Sequence, residues 1–314
     1  MSYLTPDLIN EQRNEVFKEA VRKGVETALN RIMERYEQAE DPENNLAYHN
    51  SEHTQSMLQR VEKIMAASGA SERDIKLATL AGAFHDTVQN WERRSYDTNG
   101  AITDSPEHAV KVLRIRDTHT NEQESVGEVL AFMREANEQN PDTFTELDMA
   151  TVSEAILATI PQFDSASGTV VQPVVDKNSY IIARSIALAD IGTAGMEEPH
   201  VFLAEGNAIF REDNLDIAAL NSETLENLSE KRKQHIMDRA YQWTASQASF
   251  ARGRQQLLDK ELEGLPEYAQ QQITKLFNRF DDSIHAAEQL TAKRLALKDS
   301  GHCKELLEDM GFKF

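Results

Sequence analysis

Three histidines and two aspartates in the sequence have the types and positions to hold a metal ion. His49 and His53 stand four apart in Tyr48-His49-Asn50-Ser51-Glu52-His53, and the pair His85-Asp86 closes an apolar run that ends at Phe84. Asp190 closes a second apolar run, Ile181 to Ala189. Residues four apart on a helix share one face, so His49 and His53 are expected to point together into one site from a single helix. An imidazole and a carboxylate at the end of a buried helix need partners, because desolvating a charge without compensation is costly. A divalent ion is one such partner: nitrogen donors favour Zn, Fe or Mn, and oxygen donors favour Mg or Mn. A single histidine is more often a surface or hydrogen-bonded core residue than a ligand, so the weight rests on the combination.

The elements that must carry these residues read as helices. From Glu11 to Gln38, Val16, Phe17, Ala20, Val21, Val25, Ala28, Leu29, Ile32 and Met33 recur at spacings of three and four. A polar loop at Asp41 to Asn45 follows, then a helical pattern from Tyr48 to Ala67. Ser71 with Asp74 forms an N-cap pair ahead of a nearly all-apolar helix ending at Phe84, and such a helix is buried. The stretch Ser95 to Thr103 reads as a surface loop over the site, with a helix resuming near Ser105. Further helices are predicted over 122–137, 146–159 and 178–191. Val170, Val171, Val174 and Val175 allow a short strand but not a sheet. From Ser222 to Lys298 two long antiparallel helices are predicted, broken at Gly264-Leu265-Pro266. The expected fold is all-α, with a core over 1–215 and a helical C-terminal extension over 216–314 that completes the pocket.

The order His53, His85-Asp86, Asp190 resembles the H…HD…D pattern of the HD-domain metal-dependent phosphohydrolases. Tyr48-His49-Asn50 followed by His53 is similar to the Y-H-N-x-x-H signature of the cyclic-nucleotide phosphodiesterase-like branch. Ile156 to Thr159, Phe202 to Asn207 and Ser246 to Phe250 resemble further segments of that branch, so the likeness spans about 48–250. The resemblance implies an HD-type helical bundle in which His53, His85, Asp86 and Asp190 bind a first metal (Zn, Fe or Mn). Asp86 would bridge to a second (Mg or Mn). Asp104 would support the second ion's water shell, with Glu107 and His108 as runners-up. His49 would be the general acid, and Gln247 and Phe250 would hold a purine. Two departures stand out: Ile160 replaces an Asp after Ile-Leu-Ala-Thr, and Thr87-Val88-Gln89-Asn90 replaces a His-rich stretch.

The chemistry stands without the family. Two ions can neutralise a phosphoryl group and activate water, while an imidazole one turn from a ligand protonates the leaving oxygen. Cations near His49 oppose its protonation, so a carboxylate such as Glu52 is expected to offset them. The expected activity is hydrolysis of a small, nucleotide-like phosphoester, with a cyclic-nucleotide phosphodiesterase as the leading form. A nucleotidase, a pyrophosphohydrolase and a non-catalytic nucleotide-sensing module are the alternatives.

Composition narrows the partners. The 314 residues carry a formal charge of −20, which leaves no net attraction for a nucleic-acid polymer. Hydrophobic residues make up 40% and charged residues 27%, the balance of a globular chain rather than a disordered one. No run of about 18 apolar residues predicts a membrane span. The first 18 residues carry Asp7, Glu11, Arg13 and Glu15 in place of a secretion signal's apolar stretch, and Cys303 is the lone cysteine. A cytoplasmic location follows as the expectation. The acidic C-terminal helices are expected to be a solvated face or an oligomer contact.

Overall fold

The computed structural model describes residues 6–105 and 109–314; Glu107 and His108 lie outside them. Among the described residues the fold is all-α apart from two short hairpins, and no helix is long and apolar enough to cross a membrane. Helix α1 (Pro6–Tyr36) lies against α2 (Ser51–Ser68) and α3 (Glu72–Phe84). Ser71 caps α3 by accepting from the Asp74 amide, as its sequence predicts. From Leu77 to Phe84 every residue of α3 is buried, so this helix forms the centre of the core. Around it pack α4 (Thr120–Gln139), α5 (Glu146–Leu157) and α6 (Ile181–Asp190). Phe84, Leu80, Ile64, Met57, Val152 and Ile186 are fully enclosed in one cluster, which also takes in Ile273 from the second half of the chain.

Two expectations fail here. In place of a loop followed by a helix, β1 (Trp91–Tyr96) pairs antiparallel with β2 (Lys111–Arg116), Trp91 opposite Arg116. Asn99-Gly100, with Gly100 at φ 79°, makes a tight turn inside the connection between the strands, where Ile102 bridges back to Tyr96. The valine cluster likewise forms a small ladder, β3 (Gln162–Asp164) with β4 (Thr169–Val171), so short antiparallel sheets do occur. A hairpin needs only local pairing and a turn, which helical periodicity does not report.

The second half begins with α7 (Thr193–Met196), α8 (Pro199–Asp213), α9 (Leu215–Ala218) and α10 (Ser222–Glu226). Helix α11 (Glu230–Glu261) runs beside α13 (Phe280–Asp299), with α12 (Glu267–Leu276) between them and α14 (Cys303–Asp309) at the end. The predicted second long helix is thus divided at Phe277 to Arg279, where Phe277 and Phe280 turn inward onto Gly195. A Cβ at Gly195 would lie 2.6 Å from both rings, so glycine is needed for this approach. Buried Arg294 ties α13 to α14 and α11 through Asp309 and Thr244.

Cys303 is buried with Leu306, Leu307 and Met310 against α11, and burial pushes its thiol up to about 11. At pH 8 the native thiol should react with a small disulfide reagent at least about 100-fold more slowly than in unfolded protein. Labelling at the unfolded rate would mean that α14 is not docked.

Candidate functional site

The ligand-type residues come from the ends of three helices. Asn50, extended at φ −129°, caps α2 by accepting from the His53 amide at 3.0 Å. His53 therefore sits in the first turn of α2, while His49 precedes the cap and is not helical. The two still meet, with ring centroids 6.1 Å apart; the one-helix-face reading is corrected in its cause rather than in its outcome. His85 and Asp86 follow the last turn of α3, and Asp190 is the last residue of α6. The end of α6 is pinned from α2: the fully buried Arg60 donates from Nε to the Ala189 carbonyl at 2.7 Å.

His53, His85 and Asp86 form a buried cluster whose ligand atoms lie within 4.8 Å of one another, a geometry able to coordinate a metal ion. His53 Nε2 is 3.6 Å from Asp86 Oδ2 and 3.5 Å from Asp190 Oδ1. His85 Nε2 is 3.0 Å and 3.6 Å from the same two atoms. Yet both Nε2 atoms and Asp86 Oδ2 are buried without a hydrogen-bond partner. Donors about 2.1 Å from a shared centre are about 3.0 to 3.4 Å apart at octahedral or tetrahedral angles, close to these separations. Unpartnered buried polar atoms at ligand spacing fit a divalent cation.

Surrounding groups orient these donors. His85 Nδ1 lies 2.7 Å from the Gly82 carbonyl, which fixes the proton there and turns the Nε2 lone pair inward. Gln89 donates to Asp86 Oδ1 at 2.9 Å, and Gln172 to Asp190 Oδ2 at 3.3 Å. Burial by itself lowers the pKa of His85, but Asp86 and Asp190 outweigh it and hold the imidazole well above its usual value. Burial raises both aspartates, and the histidines more than reverse this, leaving them below the ordinary carboxylate range.

His49 has a partner that sequence reasoning missed. Its Nδ1 is 2.6 Å from Oε1 of Glu212 on α8, whose Oε2 accepts the Tyr48 and His49 amides at 2.8 and 3.1 Å. Burial raises the pKa of Glu212, but His49 and Arg116 carry it well below the usual range, so it is ionised. The expected Glu52 is exposed and plays no such part. A separation of 163 residues hides the pair from any spacing argument. One signal existed: Phe202, Gly206, Ile209 and Asp213 recur at helical spacing and all line the cavity, so the face continues to the Glu212 end of α8.

The cluster opens into a cavity of about 410 Å³. Gln247 and Phe250 of α11 line it, as does Thr159. Phe250 stacks on Phe202 with centroids 6.1 Å apart, and Gln247 lies on Gly206, where a Cβ would come within 2.5 Å of its amide oxygen. Asp104 is exposed beyond β1 and does not reach the cavity, whereas Glu122, at the start of α4, lines it. Trp91 lines a separate open groove and lies under the Arg114 guanidinium, while Trp243 lines the cavity and donates to the Gly206 carbonyl.

Comparison with protein-family models, curated proteins and solved structures finds no match to this chain. What stands is a metal-competent His/His/Asp cluster in an all-α fold, beside a cavity of small-molecule size.

Because His85 holds a proton in the metal-free site, binding an ion must displace it, and affinity must rise with pH. Titration calorimetry with Mn or Zn in two buffers of different ionisation enthalpy should show about one proton released per ion at pH 7. Unchanged affinity between pH 6 and 8 would contradict this.

Proposed function

We propose that the protein is a metal-dependent phosphohydrolase acting on a small nucleotide-like phosphoester, of the HD-domain type that the sequence resembles. The observation that carries the proposal is the convergence of His53, His85, Asp86 and Asp190 at one end of the cavity, with the His49–Glu212 pair on its wall. His53, His85, Asp86 and Asp190 would hold the first ion, and Asp86 would be shared with a second. A bound divalent ion supplies charge neutralisation at the phosphoryl oxygens and an activated water.

The remaining steps belong to the chain. Glu212 accepts from Nδ1 and fixes the orientation of the His49 ring, so that Nε2 faces the cavity and can give a proton to a leaving alkoxide. The buried Gln247 and the stacked Phe202–Phe250 pair offer a flat apolar slot with one amide, suited to a heterocyclic base. A phosphodiesterase would release a nucleoside monophosphate and a nucleotidase would release a nucleoside. Product analysis over cyclic nucleotides and nucleoside mono- and triphosphates, with added Mn or Mg, therefore distinguishes them.

Asp86→Ala should lose both bound metal and turnover; normal metal content with retained turnover would sink the ligand assignment. His49→Ala and Glu212→Gln should keep the metal. Loss of the proton donor should cost about 100-fold or more in kcat on an alkyl ester and much less on an aryl ester, whose leaving group needs little protonation. Equal losses on the two esters would remove His49 from the acid role.

A further inference from the structure

The cavity carries five carboxylates, Asp86, Glu122, Asp190, Glu205 and Asp213, and a single Lys or Arg among its lining residues, Arg116. Arg116 is the last residue of β2, so the hairpin delivers it over the site. Its Nη1 is 2.7 Å from His49 Nε2, the atom that must face the leaving oxygen. The same Nη1 is 3.1 Å from His49 Nδ1, so the guanidinium nitrogen lies against the face of the imidazole rather than in line with one ring nitrogen, while Glu212, which can only accept, engages Nδ1. In this position Arg116 screens Nε2 from a leaving oxygen. Donation to a substrate requires Arg116 to move to another acceptor.

The acids beside Arg116 satisfy it only in part, through one long bond from Nη2 to Asp213. Asp213 Oδ2 is 3.5 Å away and Glu212 Oε1 is 4.0 Å away, neither in bidentate contact. The oxygens of Glu212 are already engaged by His49 and two backbone amides. The planar guanidinium thus keeps donors for a tetrahedral oxyanion, its preferred partner.

Resting on the phosphohydrolase reading, we propose that Arg116 is the specificity-determining cation of this site and takes a second phosphate carried by the leaving group. The position follows from the geometry: a cation lying against the proton-donating ring stands on the leaving-group side of the reacting phosphorus, not on the side of the metal ligands. The substrate class is a phosphoester whose departing alcohol is itself phosphorylated. In the reaction the bond from phosphorus to the leaving oxygen breaks and a bond to the oxygen of water forms. The leaving oxygen takes the Nε2 proton, and the proton lost by water restores His49. As the second phosphate draws Arg116 off the ring, Nε2 opens to the leaving oxygen, so recognition and activation are coupled. Asp213 weakens the anion's hold in part, which favours release of the phosphorylated product.

Matched substrates test this. Adenosine 3′,5′-bisphosphate is compared with adenosine 3′- and 5′-monophosphate, and a 5′-phosphorylated diadenylate with the unphosphorylated one. Both kcat/KM and calorimetric affinity are read on the metal-loaded protein. The doubly phosphorylated member should be preferred by about tenfold or more, Arg116→Gln should bring the ratio near one, and Arg116→Lys should restore part of it. Equal use and equal binding of the matched members by the wild type, or a preference retained in R116Q, would overturn the proposal. If no ester is turned over while the bisphosphate still binds through Arg116, the phosphohydrolase reading fails and the anion site stands.

Discussion

Two imidazoles and two carboxylates meet inside a hydrocarbon core, and the fold is arranged to hold them there without hydrogen-bonding them to one another. Removing such groups from water costs several kcal/mol each unless something replaces the lost hydration. The Nε2 atoms of His53 and His85 and Asp86 Oδ2 lack a hydrogen-bond partner although carboxylate and imidazole approach to 3.0 Å. Every neighbouring contact acts on the other side of the same groups: Gly82 on His85, Gln89 on Asp86, Gln172 on Asp190 and Asn50 on the turn that presents His53. The inward-facing donor atoms remain aimed at one point, and a cation is what such a set accommodates.

This constraint explains the placement of the helices. All three ligand-bearing helices end or begin at the cluster, because a helix terminus can present a polar side chain while the body of the helix stays in the apolar core. Helix α3 shows the principle: Leu77 to Phe84 are buried, and the polarity begins abruptly at His85. Arg60 extends it, since its fully enclosed guanidinium holds the final carbonyl before Asp190 and sets the height of that carboxylate. The later helices α8 and α11 add Glu212, Gln247 and Phe250, so the wall of the cavity is assembled from distant parts of the chain.

Much of this was legible in the residues. Helical periodicity gave α1 through α6 closely, the Ser71 cap marked the start of α3, and the apolar runs ending in His85-Asp86 and Asp190 marked the cluster. The pairing of β1 with β2 is not legible because the strands are short and half-exposed and are joined across 97–110, so no hydrophobic stripe or tight turn announces it. His49 was placed on a helix, yet Asn50 caps that helix from an extended conformation and leaves His49 outside. The Glu212 and Arg116 contacts to His49 were hidden because they join residues 163 and 67 positions apart, and no periodicity links such positions.

The central claim is that the cluster is a metal centre built on imidazole nitrogen and carboxylate oxygen. X-ray absorption spectroscopy of the Zn- or Mn-loaded protein tests it most directly. The account predicts a first shell of nitrogen and oxygen at about 2.0 to 2.2 Å with the outer-ring scattering of two imidazoles, lost in His53→Ala, His85→Ala double-variant protein. A fully hydrated ion with no imidazole scattering, or the same spectrum from the double variant, would contradict it.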